Sequence, residues 1–216
     1  MGMIVQGSPS PVLRDALAVA AQIHSIFDRH ADKGTSATSC VHASLALADF
    51  LSRLGIEAEA LPVAVVIRAM QDGKQTHLHR VGSAAYERPR GKWNGHMIVV
   101  ADRFLIDPTF RQFNAAGLNG LPDMLALPSS EGQLLGLRLL GRFGASLKPG
   151  HVYNVAWIHT PENTGWQAWD DRQKQGIRKA VVTGLLQQHA KRPGHDATEH
   201  PPTSDQKEPL SAGRRT

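Results

Sequence analysis

The sequence predicts an α+β domain, and three observations predict it. From Val12 to Leu54 apolar residues recur at helical spacing. From Ala58 to Ile158 short β-branched runs alternate with turn residues. From Gly165 to Ala190 one more helical pattern closes the chain.

The elements follow in order. Pro9, Ser10 and Pro11 punctuate a short leader. Val12 to Arg29 reads as one helix, with Val12, Leu13, Leu17, Val19, Ala20, Ile23 and Phe27 as its stripe. A loop, Asp32 to Ser36, feeds a second helix that Thr38 or Ser39 can cap. Cys40 lies in its first turn, Leu45, Ala48, Phe50 and Leu51 form its apolar face, and Gly55 stops it. Ala58 to Met70 reads as a buried strand around Val63, Val65, Val66 and Ile67. A turn at Gln71–Lys74 leads to a return strand, Thr76 to Val81, and Tyr86 to Asn94 is a loop. His96–Val100 and Arg103–Asp107 form a hairpin around Ala101–Asp102, and Pro108 ends it because proline cannot donate to the ladder. Ala115 to Leu140, with Gly117, Gly120, Pro122 and Pro128, reads as loops with short helical pieces. His151 to Ile158 alternates as a strand. In the last helix Asn163 or Thr164 is the cap and Ile177, Val181, Leu185 and Leu186 the stripe, with Trp157, Trp166 and Trp169 expected to pack it on the sheet. The expected domain is 1–190. Residues 191–216 are too polar to bury an apolar face and read as a disordered tail, and His189, His195 and His200 are assigned to that solvated end.

Composition bounds the function. A chain of 216 residues, 41% hydrophobic and 20% charged, suits one domain with a real core. The net charge is +5, yet the cationic residues are scattered: Arg68, Lys74, Arg80, Arg138 and Arg142 are examples. The densest run, Arg88 to Lys92, is short and no aromatic ladder interleaves with it, which argues against specific nucleic-acid recognition. The single cysteine cannot form an internal disulfide. The N-terminus lacks the features of a signal peptide, and no apolar run is long enough to span a bilayer. The expectation is a cytoplasmic protein without membrane contact.

The chemistry-bearing residues meet through the hairpin. A helix N-terminus favours negative charge, hence the thiolate of Cys40, which is the nucleophilic form. A lone cysteine is also a common small apolar core residue. With Ala101–Asp102 as a two-residue turn, His96 faces Asp107, whereas a one-residue slip sends them to opposite faces. Cys40 is then the candidate nucleophile, His96 the base and Asp107 the group that orients the imidazole. The main-chain N–H of Cys40 is a ready oxyanion donor; a second donor is unassigned, Gln22 of the preceding helix being either that donor or a core-edge residue. The alternative is a buried Cys40, a half-exposed His96 at a strand end and Asp107 as a turn former before Pro108. Trp93 either lines the cleft or serves the core, Asn94 either lines the cleft or orients His96, and His42 reads as an ordinary helix residue. His77 and His79 share a strand face, but no third ligand stands at zinc spacing, so neither metal nor cofactor is expected.

Two stretches carry a resemblance. The pattern from Cys40 through Ser44, Leu45, Asp49, Phe50, Leu51 and Leu54-Gly55-Ile56, with Gly95-His96-Met97-Ile98-Val99-Val100 and Phe104-Leu105-Ile106-Asp107-Pro108-Thr109, resembles the core of the transglutaminase-like superfamily. It covers about a third of the chain, Ser39 to Phe110. Met97 and Thr38 depart from the aromatic and the glycine often found there. The resemblance implies a papain-like fold: N-terminal helices, with a cysteine helix packed on an antiparallel sheet. It also implies thiol chemistry on a peptide or amide substrate, by hydrolysis or acyl transfer through a thioester. Arylamine N-acetyltransferases share the order cysteine, histidine, aspartate, and a non-catalytic binding module on the same fold is the alternative.

Overall fold

The computed structural model describes residues 2–30, 40–82, 93, 95–116, 120–130, 132–134, 136–148, 150–169 and 172–192. They form a mixed α+β fold with four α-helices and a nine-stranded sheet among the described residues. The expected caps Thr38 and Ser39, the loop 86–94 apart from Trp93, and the tail from 193 onward lie outside them.

The stripe from Val12 to Arg29 breaks into two helices, α1 (Pro11–Ala20) and α2 (Ile23–His30). Ser10 caps α1 by accepting from the Leu13 N–H at 3.3 Å, and Pro11 takes the first helical position, where no N–H is needed. Gln22 is exposed in the break between the helices. The cysteine helix is α3 (Cys40–Arg53). It ends as Gly55 predicts: at φ 76° this residue bonds back to Ser52, and Ile56 bonds back to Leu51, both at 3.0 Å.

The sheet consists of β1 (Met3–Val5), β2 (Ala58–Gln71), β3 (Lys74–Val81), β4 (His96–Ala101), β5 (Phe104–Asp107), β6 (Met124–Pro128), β7 (Gly132–Leu134), β8 (Leu137–Lys148) and β9 (His151–His159). Its order is β1-β6-β5-β4-β2-β9-β8-β7, with β3 also paired to β2. The stretch expected to be loops and helical pieces thus holds β6, β7 and the start of β8. The final helix, α4 (Arg172–Ala190), starts later than expected, after a 3-10 turn at Thr164–Trp169.

Strand β2 governs the layout. One of its edges pairs with β4 from Ala58 to Val63, then with β3 from Val65 to Gln71. The sheet therefore forks at Val63, whose β4 partner is His96. Two apolar clusters flank the layer. Val99, Ala101, Phe104 and Ile106 pack with Leu13, Leu17, Phe50, Val181 and Leu185 of the helices. Ile98, Leu105, Val63 and Val65 pack with Phe110, Phe113, Phe143 and Trp157. Trp157 therefore belongs to the core away from the last helix, contrary to the expectation. His189 also departs from it: it is buried in α4, edge-on to Phe50 with ring centroids 6.1 Å apart. The polar tail starts beyond it.

Candidate active site

The β4–β5 hairpin turns at Asp102–Arg103, one residue later than expected, with φ of 48° and 63°. That pair of left-handed residues makes a primed turn, whose twist suits a hairpin. Observed partners are Ala101 with Phe104, Val100 with Leu105 and Val99 with Ile106. Moving a turn by one residue shifts the pairing by two, so parity survives. His96 and Asp107 stand diagonally instead of directly opposed, on the same face, within reach of long side chains. The His96 Nε2 to Asp107 Oδ2 distance is 2.7 Å, and both side chains are fully buried.

The carboxylate is held from three sides. Besides His96, Trp157 donates its indole N–H to Oδ2 at 3.0 Å, and the Thr109 N–H donates to Oδ1 at 3.1 Å. The last is an Asx turn, which explains how Asp107-Pro108-Thr109 ends a strand and starts a 3-10 turn at Phe110–Ala116. His24 of α2 fastens the same segment, donating Nε2–H to the Pro108 carbonyl at 2.6 Å. Burial, then the charge of Arg111, lowers the His24 pKa and keeps the ring neutral. Arg111 pairs with Asp123 at 3.1 Å, and the Asn114 side chain accepts from the Leu121 N–H at 3.0 Å.

The 3-10 turn brings two residues that sequence reasoning missed. Gln112 sets its side-chain amide against His96 Nδ1. Phe113 tilts against the imidazole with ring centroids 5.1 Å apart. The spacing of Phe110 and Phe113 was a usable signal, since residues three apart share one face of a 3-10 turn. Trp157 left none, because its tie to Asp107 spans fifty residues.

Cys40 opens α3 and is buried with Val41 and Met97, flanked by Leu45, Ala60, Trp93 and Trp166. Ser44, one helical turn on, donates its hydroxyl to the Met97 carbonyl at 2.8 Å and ties this end of α3 to β4. Burial alone would depress the His96 pKa. The charge and hydrogen bond of Asp107, then a hydrogen bond and charge from Cys40, outweigh it and raise the pKa to about 10. The structure thus bonds His96 to Asp107, as predicted, and Cys40, at the start of α3 beside Met97, adds to the raised pKa of the ring. Trp93 donates to Asn163 Oδ1 at 2.9 Å and lies over Gly95, where a Cβ would stand 2.6 Å from the indole. Asn94 lies outside the described residues.

His77 and His79 stack with centroids 6.1 Å apart, and His79 meets Phe113 at 6.4 Å. Burial, then the charge of His77, lowers the His79 pKa. Among the described residues no cluster of three or more His, Cys, Asp or Glu side chains is arranged to hold a metal. His42 is buried within α3. No described helix is long and apolar enough to cross a membrane.

The sequence matches no family model and no curated protein. A solved structure, that of a genomics target, superposes with a TM-score of 0.50 at 19% identity, covering 84% of this chain and 82% of the other. That likeness is one of fold.

Proposed function

We propose that this chain is a cysteine-dependent hydrolase or acyltransferase of transglutaminase-like, papain-like architecture, acting on an amide or peptide bond through a thioester at Cys40. The observation that carries the reading is the buried His96 imidazole, bonded through Nε2 to Asp107 and raised in pKa by both Asp107 and Cys40. A histidine so placed holds a proton at neutral pH that a leaving group can take. Cys40 Sγ would attack the amide carbonyl, His96 would give a proton to the leaving amine as the C–N bond breaks, and the Cys40 main-chain N–H would meet the oxyanion. Water or an amine would then attack the thioester and free the thiol. Asp107 keeps the ring oriented throughout.

A second reading, a non-catalytic binding module on this fold, draws support from Gln112, whose amide occupies Nδ1, the ring nitrogen left over once Nε2 serves Asp107. Iodoacetamide separates the two. An activated Cys40 alkylates faster than a free thiol near neutral pH, and His96→Ala slows it by at least about tenfold. Labelling at the rate of an ordinary thiol, indifferent to His96, favours the module.

A further inference from the structure

The four strands β3, β2, β9 and β8 lie side by side, and their pairing aligns residues in rows. Arg80 stands opposite Val66, Val66 opposite Ala156, and Ala156 opposite Arg142. The next row runs Leu78, Arg68, Asn154, Gly144. Side chains alternate across a strand, so both rows share the face that turns away from Trp157. Three of the arginines that look scattered along the sequence are thereby gathered, and neither row contains a carboxylate.

This face holds a cavity of about 390 Å³, lined by Val66, Arg68, Leu134, Arg142, Asn154 and Ala156 among others. Val66, Leu134 and Ala156 form a half-buried apolar floor, while Arg68, Arg80, Arg142 and Asn154 are exposed. Among the described residues none of the three guanidiniums has a hydrogen bond or an ion pair. Gly144 leaves room beneath the Asn154 amide, whose Oδ1 would lie 3.4 Å from a Cβ there. Leu78 and Val152, exposed by 39% and 41%, extend the apolar character of the same face. Strands lie about 4.8 Å apart, so the Arg68 and Arg142 backbones, two strands and two residues apart, stand about 12 Å from each other. Two arginine side chains can converge on one anion across that gap.

We propose that the outer face of β2, β9 and β8 is a binding site for a small organic phosphate. The phosphate sits between the guanidiniums of Arg68 and Arg142, with Asn154 as a further hydrogen-bond donor and Arg80 adding charge from the side. Its organic part rests on Val66, Ala156 and Leu134. Guanidinium forks match phosphate oxygens, and a concave apolar floor with a few polar groups suits a small ligand. Three unpaired positive charges call for more than the single charge of a carboxylate. The site lies on the side of the sheet opposite the Trp157 core and is independent of the thiol chemistry.

Titration calorimetry of the full chain with phenyl phosphate tests it. Binding is expected to be saturable, to weaken by about tenfold or more in the double variant R68Q/R142Q, and to be unchanged in Arg29→Gln on α2. Inorganic phosphate and benzoate are each expected to bind at least about fivefold more weakly, one lacking the apolar part and the other the second charge. The double variant should melt at the parent's temperature, since both arginines are exposed. Undiminished binding in the double variant overturns the site, as does inorganic phosphate or benzoate binding as tightly as phenyl phosphate. Duplex DNA displacing phenyl phosphate with higher affinity and steep salt dependence overturns it as well, making the face a polyanion surface.

Discussion

His96 is engaged on both ring nitrogens. Nε2 is committed to Asp107, and Nδ1 faces Gln112, while Cys40 helps Asp107 raise the pKa of the ring. Trp157 keeps Asp107 from turning away, because its indole N–H takes the same oxygen that His96 uses. Trp157→Phe removes that donor from a buried carboxylate and leaves a small void. Hydrogen bonds to charged groups contribute most, so urea unfolding should show a loss of about 2 kcal/mol; unchanged stability would mean that the indole only fills space. At this scale the places of Cys40, His96 and Asp107 in the fold were readable because each carries a local sign: a helix start, a strand before a turn, an aspartate before proline. Gln112, Trp157 and His24 carried none, since their partners come from distant parts of the chain.

The hairpin shows how an element can be placed slightly wrong and still deliver its residues. Asp102 and Arg103 take the turn in left-handed conformation, although neither is glycine, and the pairing moves by two. A change of one would have put His96 among the helices and Asp107 among the aromatics. Ser10, which reads as part of the leader, caps α1. The helix end marked by Gly55 was legible. The break between α1 and α2 was not, because the apolar stripe continues through it. Strands β6 to β8 were hidden by their glycines and prolines, and their order comes from pairing with distant partners, which local propensity does not encode. The entry to β4 gives a test at this scale. Gly95→Ala would drive a methyl to within 2.6 Å of Trp93 and 2.9 Å of Asn163 Nδ2. Overpacking of this kind costs about 1–3 kcal/mol. Thermal unfolding should show that loss together with a changed tryptophan emission, and a variant as stable as the parent would contradict the close approach.

Across the whole molecule, two cores press on one sheet, helices on one side and aromatics on the other. Two buried histidines connect them to pH with opposite sign. His24 has a lowered pKa, so below its ordinary 6.5 the unfolded chain takes up the proton more readily and stability falls with acidification. His96 has a raised pKa; its contribution is complete below 6.5 and is lost as pH climbs toward about 10. Melting temperature measured against pH should therefore decline on both sides of the neutral region. His24→Gln should flatten the acid side and leave the alkaline one. An acid limb that survives that substitution unchanged would assign it to other groups.

In the proposed mechanism one imidazole serves a carboxylate and a thiol together, and an NMR titration of the His96 ring reads this directly. In the parent the ring is predicted to titrate at about 10. In Cys40→Ala and in Asp107→Asn it is predicted to titrate lower, each substitution removing one of the groups that hold the proton. A His96 ring that titrates near the ordinary 6.5, or whose titration ignores the loss of Cys40, would contradict the account.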